Sequence, residues 1–202
     1  GAIWSGGSGT FSPNNTSMTA NYTPSAAEIS SGSVTLTLTT TGNGSCNSVS
    51  DDMVITITPA PNVNAGADAN ACANNPDVTL NGSVTIAGGG TWSGGAGTFS
   101  PNINALNATY TPTAAEISTG SVVLTLTSTA NGTCNAESDN LTITYTPEPT
   151  ANAGADQTLC ANNPDATLNG TVTVASGGQW TGGLGIFTPN NNDLNAVYTP
   201  TS

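Results

Sequence analysis

Carboxylates recur at two places in this sequence, and both places could supply oxygen ligands to a metal ion. Asp68 and Asp156 each follow the tetrapeptide Asn-Ala-Gly-Ala, whereas Asp51 and Asp139 each precede a run of alternating apolar residues. Ca²⁺ prefers carboxylate and carbonyl oxygens, so these four residues predict a calcium site at the junction between repeated segments. The alternative is structural: Asp68 and Asp156 would close a turn through their own backbone, and Asp51 and Asp139 would be solvated. No EF-hand spacing is present.

The four cysteines could form disulfides, which are typical of extracellular proteins. The simplest pairing joins Cys72 to Cys134 and leaves Cys46 and Cys160 to partners outside this sequence. We rank it first, although the loops that carry Cys72 and Cys134 normally lie at opposite ends of a β-sandwich. That separation is about 30 Å for strands of about nine residues, whereas a disulfide needs Cα atoms within about 7 Å.

Three arrangements therefore stay open for the cysteines. A short or displaced first strand would bring Cys72 back to the loop of Cys134. Otherwise, neighbouring repeats could be joined end to end by disulfides. Pairing Cys46 with Cys72, and Cys134 with Cys160, would use all four residues but needs a longer reach.

Each repeated segment carries one tryptophan, followed by a glycine-rich turn. Trp4, Trp92 and Trp180 could stack against sugars, with nearby Asn and Asp as hydrogen-bond partners. The alternative is a core tryptophan packed between two sheets, and we favour it because the single tryptophan of each segment falls at a core position. The glycine-rich turn is not a phosphate loop, because no lysine follows it.

Lys, Arg and His are all absent, against 12 acidic residues and a net charge of −12. Nucleic-acid binding requires cations against phosphates, a P-loop requires its lysine, and Ser-His-Asp catalysis requires a histidine. Anionic membrane surfaces are also disfavoured as partners, and no apolar run reaches membrane-spanning length. We predict a protein that is not an enzyme, binds no nucleic acid and does not insert directly into a membrane.

The elements that must position these residues repeat with a period of 88 residues, which separates Trp4, Trp92 and Trp180. The same offset separates three tyrosines that we place in the core: Tyr22, Tyr110 and Tyr198. Repeats of this kind indicate an array of similar units. We predict the C-terminal part of one unit over residues 1–61, a complete unit over 62–149, and the N-terminal part of the next over 150–202.

Local patterns within the repeat predict strands. Thr alternates with Val and Leu over residues 33–40, and one long strand is expected over 78–86. Ser25 and Thr113 each precede a glutamate by three residues, which predicts a capping box and one helical turn. The result is an all-β protein of tandem immunoglobulin-like (PKD-like) β-sandwiches, with about seven strands per unit, arranged as a linear array.

Four motifs give the chain a family resemblance. They are Asn-Ala-Gly-Ala-Asp-Gln-Thr-Leu-Cys at 152–160, Ala-Thr-Leu-Asn-Gly at 166–170, Tyr-Thr-Pro at 110–112 and Asn-Gly-Thr-Cys at 131–134. With them the whole sequence resembles the PKD-like and immunoglobulin-like tandem repeats of giant surface proteins of Bacteroidota. The resemblance implies a secreted, surface-attached array of the adhesin or gliding-filament type, and it brings no shared catalytic residues.

We therefore predict a non-enzymatic structural repeat of a long extracellular, cell-surface fibre or adhesin stalk. Its partners are neighbouring repeat units, and calcium is the one cofactor predicted. A first alternative is a segment of a multi-chain filament, in which other copies of the chain pair through threonine-rich strand edges without lysine guards. A second alternative is a module whose weak contacts with surface glycans add by multivalency.

Overall fold

The computed structural model describes residues 1–201 and shows an all-β chain of tandem immunoglobulin-like sandwiches. Apart from two short helices, every regular element is a strand, as the alternating pattern predicts. Within residues 1–201 no helix is both long and apolar enough to cross a membrane.

The first segment, residues 1–61, forms two small antiparallel sheets. One has the order β1-β4-β5, and the other pairs β2 with β3. The elements are β1 (Ala2–Ser5), β2 (Thr10–Ser12), β3 (Asn21–Thr23), α1 (Ala26–Ser31), β4 (Ser33–Thr40) and β5 (Ser50–Thr56).

The middle segment, residues 62–149, has nine strands and one helix. The elements are β6 (Asn62–Asn64), β7 (Ala69–Cys72), β8 (Val78–Thr79), β9 (Ser83–Thr85), β10 (Gly89–Ser93), β11 (Thr98–Ser100), β12 (Thr109–Thr111), α2 (Ala114–Thr119), β13 (Ser121–Thr129) and β14 (Ser138–Thr146).

The middle segment has a four-stranded sheet in the order β10-β13-β14-β7, a three-stranded sheet β11-β12-β8 and the pair β6-β9. All pairs are antiparallel except β14 with β7, which run parallel with Ile143 opposite Ala69 and Thr146 opposite Cys72. The start of the segment is thus attached to its last strand.

The core of the middle segment lies between these sheets and follows from the alternation along β13. Val122, Leu124 and Leu126 are buried, while the intervening residues are exposed or half-buried. Burying such side chains stabilises a fold by about 1.5–3 kcal/mol each relative to exposure. The other buried core residues are Ala65, Leu80, Trp92, Ala108, Tyr110, Leu141, Ile143 and Tyr145.

The prediction of one long strand over 78–86 is wrong, because the chain divides there into β8 and β9, which belong to different sheets. Between them, Leu80 N donates to Ala108 O at 2.8 Å and Gly82 N donates to Leu106 O at 2.9 Å. A Cβ on Gly82 would lie 2.8 Å from Trp92 Cζ2. The missing side chain therefore lets the chain cross from one sheet to the other beside the core tryptophan. With this division the segment has nine strands, where about seven were predicted.

The third segment begins at residue 150 and repeats the first part of the middle one. Its sheets are β15-β17 and β16-β19-β18. The strands are β15 (Thr150–Asn152), β16 (Ala166–Thr167), β17 (Thr171–Thr173), β18 (Ile186–Thr188) and β19 (Val197–Thr199).

Candidate functional site

The glycine-rich turn after Trp92 closes onto a tyrosine and a glutamate. Gly97 N donates to Tyr110 Oη at 3.0 Å, and Tyr110 Oη donates to Glu116 Oε1 at 2.7 Å. Ala96 N donates to the same carboxylate oxygen at 2.7 Å. We call this set, Gly95 to Gly97 with Tyr110 and Glu116, the glycine latch.

Glu116 also caps the helix that begins beside it. Thr113 N and Thr113 Oγ1 donate to Glu116 Oε2 at 2.8 and 2.9 Å, and Glu116 N donates back to Thr113 Oγ1 at 3.3 Å. This confirms the capping box that the sequence predicts. The carboxylate therefore joins three elements: the glycine turn, β12 and α2.

The first segment contains the same latch 88 residues earlier. Ser8 N and Tyr22 Oη donate to Glu28 Oε1 at 2.6 and 2.8 Å, and Gly9 N donates to Tyr22 Oη at 2.8 Å. In the third segment the corresponding bond runs from Gly185 N to Tyr198 Oη at 3.0 Å. The repeat in sequence is thus a repeat of individual hydrogen bonds.

Two glycines of the latch are required by its geometry. Gly95 has φ 66°, and a Cβ there would lie 2.1 Å from Tyr110 Oη. A Cβ on Gly97 would lie 2.2 Å from Thr111 O. Both are far shorter than a van der Waals contact, so these glycines allow the turn to lie directly on the tyrosine. The turn therefore has a packing role.

The latch shifts the pKa values of its two ionisable groups. Burial alone would raise the pKa of Glu116, but donors from Thr113, Ala96 and Tyr110 outweigh it and lower the pKa to about 2. Burial, together with the hydrogen bond to Glu116, raises the pKa of Tyr110 to about 12. Glu116 is therefore a carboxylate, and Tyr110 a neutral hydroxyl, at neutral pH, which are the forms that their mutual hydrogen bond requires.

We expect the latch to make the stability of the fold depend on acid. The pKa of Glu116 falls from 4.5 to about 2 on folding, so its contribution to the free energy of unfolding is complete above pH 4.5 and is lost as the pH falls towards 2. The measurement is urea unfolding between pH 2 and 6. Glu116→Gln should flatten this pH dependence, whereas Glu148→Gln, at an exposed glutamate in the linker, should leave it unchanged. A wild-type slope in Glu116→Gln would contradict the assignment.

Two of the carboxylates predicted to bind calcium, Asp68 and Asp139, each accept a backbone hydrogen bond. Thr142 N donates to Asp68 Oδ1 at 2.8 Å, and Ala65 N donates to Asp139 Oδ2 at 2.9 Å. Both bonds attach the start of the middle segment to β14. Asp51 and Asp156 are exposed. Across residues 1–201 the structure contains no group of three or more His, Cys, Asp or Glu side chains suited to a metal ion, and a calcium site remains a prediction.

All four cysteines are unpaired in the structure, so the Cys72–Cys134 bond ranked first is not formed. Cys72 Sγ lies 3.9 Å from Pro147 O, whereas Cys134 Sγ lies 3.5 Å from Pro59 O. The two cysteines are therefore at different linkers. Cys72 lies opposite Thr146, the last residue of β14, whereas Cys134 comes before Ser138, the first residue of β14. The nine residues of β14 span roughly 26 Å, so the two cysteines lie near opposite ends of this strand.

The tryptophans differ in burial. Trp92 is 1% exposed and lies in the core, while Trp4 and Trp180 are half-buried. In the same core cluster as Trp92, the rings of Phe99 and Tyr110 pack with their centroids 4.9 Å apart. Because Trp92 is enclosed in the core, its ring has no free face on which a sugar could stack.

Together the fold and the latch define a class of protein: an all-β array of immunoglobulin-like sandwiches whose repeated polar residues hold loops in place. No family model and no curated protein matches the sequence.

Solved structures that resemble the chain include extracellular cadherin domains. Domains 3–6 of protocadherin gamma B2 are 14% identical with a TM-score of 0.41, and the match covers 99% of this chain and 58% of that one. Mouse cadherin-23 EC22–24 is 10% identical with a TM-score of 0.43, covering 100% of this chain and 76% of that one.

Proposed function

We propose that the chain is a non-enzymatic structural segment of a long extracellular, cell-surface fibre or adhesin stalk. In this proposal residues 62–149 are one complete unit, between parts of two others at 1–61 and 150–202. The observation that carries it is the recurrence at 88-residue intervals of the latch's glycine-to-tyrosine hydrogen bond, with the same donor and acceptor in all three segments. Repetition of the same local geometry fits a protein whose function depends on its shape.

The polar chemistry of the latch supports a structural role over a catalytic one. Glu116 receives hydrogen bonds from three residues, Ala96, Tyr110 and Thr113, so its lone pairs are already engaged. The sequence offers no Lys, Arg or His as a partner for acid–base or nucleophilic chemistry. Glycan binding has no specific observation in its favour, because Trp92 is enclosed in the core.

The linkers support an extended arrangement in which neighbouring units are the first partners. β5 ends at Thr56 and β6 begins at Asn62, and this short connection contains Pro59 and Pro61. Proline fixes one backbone dihedral and stiffens a linker. Cys134 also contacts Pro59, so the middle segment touches the linker that precedes it.

Electron microscopy of the purified chain and of native surface material tests this proposal, at low and at millimolar calcium. Thin threads with one bead per ~40 Å, the length expected for a sandwich unit, would support a stalk. Thick filaments with helical symmetry would favour the multi-chain alternative and overturn the stalk. If calcium straightened the threads, an ion would be placed at the junctions between units. Strong binding of one isolated unit to a glycan array would overturn the structural role proposed here.

A further inference from the structure

Each of the two linkers is contacted by one cysteine. At one linker the cysteine belongs to the following segment, and at the other it belongs to the preceding segment. Pro59 O is approached at 3.5 Å by Cys134, which belongs to the segment after that linker. Pro147 O is approached at 3.9 Å by Cys72, which belongs to the segment before that linker. Pro59 and Pro147 are equivalent residues, 88 positions apart. In a continuous array both contacts would therefore occur at the same carbonyl.

We propose that a disulfide crosses each junction and joins Cys72 of one unit to the counterpart of Cys134 in the next unit. The two sulfurs lie 3.9 and 3.5 Å from equivalent carbonyl oxygens, so at a junction where both contacts form they would be at most 7.4 Å apart, the sum of the two distances. This pairing also accounts for the four unpaired thiols, because with an 88-residue offset none of them has its partner within residues 1–202. It differs from pairing Cys134 with Cys160, which would run in the opposite direction across the linker.

The chemistry needs an oxidant, and a small disulfide such as oxidised glutathione supplies it. One cysteine thiolate attacks the small disulfide and releases one reduced thiol; the second cysteine then attacks the mixed disulfide and releases the other. Two protein thiols lose two electrons and two protons, and the small disulfide gains them. Cys72 and Cys134 are half-buried rather than enclosed, so both are accessible to this reagent.

The test places the missing cysteine beside Pro59 in the full chain. Residue 1 is equivalent to residue 89, so a second copy of residues 62–88 fused before Gly1 completes the first unit. After oxidation with oxidised glutathione we expect one disulfide between the cysteine of the fused copy and Cys134, leaving three of the five thiols reactive. Cleavage at acidic residues and mass spectrometry identify the pair, since the chain has no site for trypsin.

Matched variants make the result specific. Replacing the fused cysteine by serine, or Cys134→Ser, should abolish the bond and return the remaining thiols to the reactive pool. A bond from the fused cysteine to Cys46, or a bond between Cys72 and Cys134 of the original chain, would overturn the proposal.

A second variant tests the junction without any fusion. Thr58 Oγ1 lies 3.6 Å from Cys134 Sγ, so Thr58→Cys should form a disulfide with Cys134 under the same oxidant. If Thr58→Cys forms this disulfide but the fused chain forms no disulfide, the contact at the junction exists and the proposed pairing of Cys72 with the counterpart of Cys134 is wrong. If Thr58→Cys also stays reduced, the contact does not persist in solution and the proposal fails. The disulfide extends the proposed fibre role, but thiol mapping is read independently of the shape seen by microscopy.

Discussion

Gly95→Ala should lower the free energy of unfolding of the middle segment by about 2–4 kcal/mol, combining the costs of overpacking and of a left-handed backbone. The added Cβ would lie 2.1 Å from Tyr110 Oη and 2.9 Å from Glu116 Oε1. Tyr110 is fully buried and cannot move aside without disturbing the core. Urea unfolding followed by tryptophan fluorescence measures the change.

Gly132→Ala is the matched control for this effect. Gly132 has φ 62°, close to the 66° of Gly95, but a Cβ there would have no atom within 4 Å. It should cost only about 1 kcal/mol, the conformational part alone. Equal losses in the two variants would show that the turn moves away from Tyr110 easily, and that the latch does not hold it.

Trp92→Ala should lower the free energy of unfolding by about 3–5 kcal/mol, as expected when a large core aromatic is truncated. Trp92 is 1% exposed, and Gly82 and Leu126 lie close to its ring. The loss combines the apolar surface returned to water with the cavity left behind. Circular dichroism during urea unfolding measures it without relying on the deleted fluorophore.

Trp4→Ala provides the comparison, because Trp4 occupies the equivalent position but is half-buried. It should cost clearly less than Trp92→Ala. If instead Trp92→Ala left stability unchanged and reduced the retention of oligosaccharides, the tryptophan would be a binding platform, and the core assignment would fail.

Much of the fold could be predicted because its signals are local. The alternation of Thr with Val and Leu identified β4, and the Ser25 and Thr113 capping boxes form as their spacing predicts. A hydroxyl three residues before a glutamate specifies a helix start without reference to the rest of the chain.

The remainder depends on contacts between residues distant in sequence. The second role of Glu116, accepting from Ala96, joins positions 20 residues apart, and no short motif indicates it. The division of the predicted 78–86 strand depends on Gly82 lying against Trp92. Ile86 and Val174, at equivalent positions, adopt φ 73° and 64°, which β-branched residues rarely do, so their sequence pointed to ordinary strand geometry.

The parallel pairing of β7 with β14 has a mechanical consequence. Tension along the array would pull the start of β7 towards one neighbour and the end of β14 towards the other, so the two strands would slide past each other in shear. Their four paired positions would then share the load, rather than separating one at a time as in an unzipped hairpin. The hydrogen bonds from Thr142 to Asp68 and from Ala65 to Asp139 add further connections between the start of the segment and β14. Single-molecule stretching should therefore find that each unit yields abruptly and at high force.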